Sequence, residues 1–132
     1  MASGCRLRFK FNDKLDHIVV RTRVVGTIAQ ECRAVLDTGA NAVIVVPQLA
    51  QRLGLIRLEK QSQVFSLEQQ YTAFRVKIPC LLALGYEFQD LEAIVFGLSE
   101  HLGADMLIGL KFLKKFSDLH VSFKKSYVEL TR

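Results

Sequence analysis

The chain has 132 residues and a net charge of +5, with half of its residues hydrophobic and 23% charged. At roughly 100–200 residues per domain, this is a single domain over 1–132, long enough to bury a sizeable core. The composition excludes a disordered chain or a coiled coil. Taken in order, period-two alternation and β-branched content predict strands over 6–11, 17–25, 28–36, 42–46, 62–67, 71–82, 87–96, 119–123 and 126–130. Gly26-Thr27, Gly85 and Lys124-Lys125-Ser126 are the expected turns between consecutive strands. Two helices are expected. P-Q-L-A-Q-R-L-G starts at Pro47 and stops at Gly54. L-K-F-L-K-K-F, 110–116, sets Leu110, Leu113 and Phe116 on one face and Lys111, Lys114 and Lys115 away from it. Many short strands with one or two short helices describe an all-β, mostly antiparallel, closed barrel-like domain.

Residues 1–35 carry seven Lys/Arg against three acids, so +4 of the +5 lies there. These cations alternate with apolar residues, as in R-L-R-F-K-F, which is the pattern of a solvated strand face. No helix-turn-helix, zinc-ligand or aromatic RNA-binding pattern accompanies them, and no nucleic-acid partner is expected. Cys5, Cys32 and Cys80 include no Cys-x-x-Cys pair and read as reduced, buried or half-buried thiols of a cytoplasmic protein. M-A-S-G-C-R-L-R-F-K has no apolar signal segment. The longest apolar run, around 78–84, falls well short of the ~18 residues of a membrane span, so no membrane partner is expected. His17, His101 and His120 are far apart and suggest neither a metal nor a cofactor. No Ser or Cys stands in a nucleophile-elbow context.

The stretch A-V-L-D-T-G-A-N, Ala34 to Asn41, raises a sharper question. Asp and Gly are ordinary turn formers, the first by bonding backbone two residues on and the second by supplying positive φ. A chance Asp-Thr-Gly occurs in roughly a few per cent of chains this long, so the tripeptide alone decides nothing. Its context is less ordinary. A-V-L leads in and A-N-A-V-I-V-V leads out, and a carboxylate between apolar strands needs hydrogen bonds, a partner charge or a proton.

V-L-D-T-G-A-N resembles the signature of the retropepsin-like aspartic proteases. A second family element, two apolar residues followed by Gly and a short helix, is matched by Leu107-Ile108-Gly109 and L-K-F-L. The resemblance spans about residues 17–130. It implies an aspartic endopeptidase in which Asp37 is catalytic, with Thr38 and Gly39 supporting the active-site loop and Leu107, Ile108 and Gly109 forming a structural loop beneath it. Gly39 would offer its N–H to the carboxylate, and the Thr38 hydroxyl would bond across a subunit interface. The family's chemistry needs two carboxylates sharing one proton around a water. Asp13, Asp16, Asp90, Asp105 and Asp118 have no Thr/Ser-Gly after them, so the second Asp must come from another copy. The implied partner is therefore a homodimer mate, and the substrate a peptide in extended conformation. Asp105 is expected to be structural, accepting hydrogen bonds near Leu107-Ile108-Gly109.

The resemblance assigns substrate binding to Ala40, Asn41 and a flap tip at Ser66, Leu67, Glu68, Gln69 and Gln70, with Val43, Val64 and Phe65 favouring apolar side chains. Between Gly54 and Gly85 there is no glycine, whereas family flaps are Gly-rich at the tip. This leaves open an alternative of another class, a weakly active or inactive retropepsin-fold module for dimerisation or peptide binding. From charge alone, a third option is a basic β domain that binds RNA.

Overall fold

The computed structural model describes residues 5–58, 63–64, 72–98 and 102–132. The strands are β1 (Arg6–Lys10), β2 (Val19–Val25), β3 (Ala29–Leu36), β4 (Val43–Val45), β5 (Ile56–Arg57), β6 (Gln63–Val64), β7 (Thr72–Ala83), β8 (Tyr86–Val95), β9 (Met106–Ile108), β10 (Asp118–Ser122) and β11 (Tyr127–Thr131). Two helices interrupt them, α1 (Pro47–Leu53) and α2 (Leu110–Leu113). The path β2-β3-β9-β4-β8-β7 returns to β2, so six strands close into a barrel without a free edge. Pairing is antiparallel except at β3–β9 and β4–β8. A separate three-stranded sheet, β1-β11-β10, brings the two ends of the described chain together.

Alternation explains the barrel wall. Along β2, Val20, Thr22 and Val24 point inward while Arg21 and Arg23 stay in water. Along β1, Arg6, Arg8 and Lys10 are exposed and Leu7 and Phe9 are half-buried. The N-terminal cations therefore occupy a solvated strand face, as their spacing predicts. Among the described residues, the one buried polar side chain of the wall, Thr22, donates its hydroxyl to the Cys32 carbonyl at 3.3 Å. Arg8 donates to Glu129 across the β1–β11 pair, tying the N-terminal strand to the last one.

The turns follow local chemistry. Leu84 and Gly85 both take positive φ, 54° and 79°, which is the conformation a two-residue hairpin between β7 and β8 demands. Helix α1 begins at Pro47 and ends at Gly54 in the left-handed region, with Leu49, Ala50 and Leu53 buried, as expected. The second helix is shorter than the expected 110–116. It closes at Leu113, and tight turns carry the chain to Phe116. Phe112, Leu113 and Phe116 are all buried, and Phe112 packs edge-to-face on Phe88 with centroids 4.6 Å apart.

Two strands had no signal of their own. Residues 106–108, expected to be a loop, form β9 because they lie between β3 and β4 and hydrogen-bond to both. Residues 56–57 become β5 by pairing with β7. Of the expected strand over 62–67, Gln63–Val64 pairs with β7, and the remainder lies outside the described residues.

The thiols divide by exposure. Cys32 is buried and Cys80 half-buried, as expected, but Cys5 is exposed because it precedes β1 at the sheet margin. All three are free. Burial, reinforced by the Asp105 carboxylate, pushes the Cys32 thiol up to about 11, so its thiolate fraction at pH 8 is about one in a thousand. An alkylating reagent at pH 8 should therefore label Cys5 first and reach Cys32 only after denaturant is added. Peptide mapping of the labelled protein checks this, and rapid native labelling of Cys32 would contradict the burial.

Candidate active site

Strand β3 runs out of the barrel at Leu36, and the next residue is Asp37. Its N–H donates to the Ile108 carbonyl at 3.0 Å, so the turn begins against β9. Asp37 as a residue is half-buried, while its carboxylate reaches an exposed position where Oδ1 accepts the Gly39 N–H at 2.8 Å. That is the bond expected of Gly39, and an ordinary Asp turn would make it too. Gly39 does not supply positive φ, in contrast to the turn expectation. A Cβ there would sit 3.1 Å from Oδ1, so the position favours a small residue by proximity rather than by dihedral angle. Oδ2 of Asp37 has no hydrogen-bond partner among the described residues. One oxygen is thus held while the other remains available.

The loop is clamped from below. Leu110 N–H donates to the Ala40 carbonyl and Lys111 N–H to the Asn41 carbonyl, both at 2.8 Å. Gly109 makes this approach possible: a Cβ on it would lie 2.5 Å from the Ala42 carbonyl oxygen and 2.6 Å from that of Ala40. The two stretches singled out by sequence, Asp37 to Asn41 and Leu107 to Gly109, therefore meet through backbone contacts. Leu107 and Ile108 contribute from strand β9 rather than from a loop, with Ile108 completely buried. Asp105 is structural as expected: its carboxylate accepts the Arg33 N–H at 3.3 Å and its carbonyl accepts the Val46 N–H at 3.1 Å.

Thr38, Gly39 and Asn41 are exposed and Ala40 is half-buried. Val43, expected beside a substrate, is only 2% exposed and faces the core, because β4 is an inner strand paired on both sides. Ser66, Leu67, Glu68, Gln69 and Gln70, and Phe65 before them, lie outside the described residues, as does His101. A shallow depression of about 200 Å³ next to Thr38 is walled by Leu110, Leu113, Lys114 and Phe116 and runs to Asp118 and Leu119 at the start of β10. Among the described residues, no three His, Cys, Asp or Glu side chains gather as metal ligands. Nor, among the described residues, is any helix long and apolar enough to cross a membrane.

Comparison with known proteins agrees with the fold. Residues 25–115 match the model of the family described as gag-polyprotein putative aspartyl protease. A retropepsin-like aspartic protease from Rickettsia conorii superposes with a TM-score of 0.67 at 19% identity, over 98% of this chain and 93% of that one. The EIAV protease complexed with the inhibitor HBY-793 gives 0.53 at 16% identity, over 76% and 88%. The retroviral protease-like domain of Ddi1 from Leishmania major gives 0.53 at 20%, over 82% of each chain. No curated protein sequence matches. A closed barrel that ends a strand in Asp-Thr-Gly, clamped by an apolar-apolar-Gly strand and helix, is thus found in a chain that belongs to the retropepsin-like gag-polyprotein aspartyl protease family.

Proposed function

We propose that the chain is an aspartic endopeptidase that works as a homodimer, with Asp37 from each copy sharing a proton and activating a water against an extended peptide. One observation supports this above the others. An accessible carboxylate stands at the end of a barrel strand with one oxygen fixed by Gly39 and the loop around it held by β9 and α2. Two such carboxylates a few ångströms apart cannot both ionise, so one would take the water's proton while the other polarises the carbonyl.

The open edge of β10 is the surface on which a second copy would pair. Among the described residues, β10 pairs only with β11, leaving one edge open. Phe123, just past its end, is 73% exposed, and the depression beside Thr38 leads to the same strand. An open strand edge with an apolar residue beside it invites a second copy. Three free thiols suit a reducing, cytoplasmic setting.

Wild-type protein incubated with a mixed-peptide library should cleave it, a pepstatin-like inhibitor should stop the cleavage, and sedimentation should show a dimer at the working concentration. A strictly monomeric active protein would overturn the shared-carboxylate mechanism. The glycine-free segment between Gly54 and Gly85 favours the second reading, a peptide-binding module without catalysis. Peptides bound but intact after hours at acid and neutral pH would establish it.

A further inference from the structure

A larger cleft, of about 560 Å³, opens where the Asp37 loop ends. That volume is within the range of small-ligand sites. Its walls include Ala42, the residue after Asn41, together with Leu91 and Ile94 of β8. Its rim carries Lys111 and Lys115, four residues apart on and just beyond α2, and the Arg75–Glu92 ion pair at 2.7 Å. Because Glu92 offsets Arg75, the rim keeps two positive charges. Neither lysine has an ion-pair partner among the described residues. Lys115 lies with its Nζ 5.7 Å from the Phe88 ring centroid.

The cleft is continuous with the candidate site by backbone. Lys111 N–H is the donor that holds the Asn41 carbonyl, so the same residue braces the loop and lines the cleft. Ala42 is five residues from Asp37, at most about 18 Å along a fully extended chain. A substrate in extended conformation covers that distance in about five residues. Its side chain would meet an apolar wall below and two ammonium groups above, which suits a carboxylate on a short aliphatic stem and disfavours a cation.

We propose that this cleft is a distal subsite that selects an acidic side chain, Asp or Glu, within about five residues of the scissile bond, with Lys111 and Lys115 supplying the charge. The proposal rests on reading the chain as a protein that binds extended peptides. Lys111 and Lys115 are specificity residues in this scheme and take no part in bond cleavage.

Matched peptides that carry Glu or Gln at the distal positions test it. Their affinities are measured by fluorescence anisotropy on the Asp37→Asn protein, which leaves them intact. Solvent-exposed charge pairs are individually weak, so the Glu peptide should bind about three- to tenfold tighter. High salt should shrink the difference, and a Lys111→Glu/Lys115→Glu variant should abolish or reverse it. Equal affinity for the two peptides, or a preference that survives the double variant, would overturn the subsite. If wild-type protein still cleaves the Gln peptide in that case, the protease reading stands without it. If wild-type protein neither binds nor cleaves any library peptide, both fall together.

Discussion

Asp37→Asn should lower peptide cleavage by about a thousandfold or more while leaving the fold in place. Positioned acid–base groups contribute about 10²–10⁴ in rate, and in a homodimer one codon change removes both members of the pair. The substitution keeps the atom that matters for the turn, because an Asn side-chain oxygen can still accept the Gly39 N–H now held at 2.8 Å. Thermal stability should therefore stay within about 0.5 kcal/mol of wild type, the ordinary range for substitutions away from the core. Parallel measurement of kcat/KM and of the melting temperature separates chemistry from folding. Undiminished cleavage by Asp37→Asn would assign the reaction to another group, and a collapse in melting temperature would make Asp37 a structural turn residue.

The sequence made that carboxylate conspicuous because everything around it is local. The strand before the turn, the Asp-Thr-Gly itself and the apolar run after it are adjacent in the chain, and β3, β4 and α1 fall within a residue or two of expectation. Elements defined by neighbours rather than by their own pattern were less visible. Met106–Ile108 is buried throughout, so it shows no alternation, and at three residues it is too short to read as a strand. Only its position between β3 and β4 makes it one. Cys5 departs from expectation for a related reason, since exposure at a sheet margin depends on where the sheet ends. Lys111 and Lys115 look like any solvated helix face until β8 closes a cleft against them.

The clamp beneath the loop belongs to the same class of feature, since the clash that requires glycine at position 109 is with residues almost seventy positions earlier. Gly109→Ala should be severely destabilising. Its new methyl group would stand 2.5 and 2.6 Å from two carbonyl oxygens and 2.8 Å from the Asn41 carbonyl carbon. Backbone cannot rotate aside as a side chain can. Relief requires the 40–42 segment to lift away, breaking the bonds from Leu110 and Lys111 to the Ala40 and Asn41 carbonyls. Overpacking of about 1–3 kcal/mol and the loss of two hydrogen bonds of about 1 kcal/mol each together give about 3 kcal/mol or more. For a chain of this size that is a fall of roughly 10 °C or more in melting temperature. Gly97→Ala is the matched control, because a Cβ at Gly97 would meet nothing within 4 Å and its φ is not positive. It should stay within about 0.5 kcal/mol of wild type. Cleavage should be weakened in Gly109→Ala even well below its melting temperature, because the lifted segment begins three residues after Asp37. If both alanine variants melt with wild type, the close packing of Gly109 under the loop is not what holds the carboxylate in position.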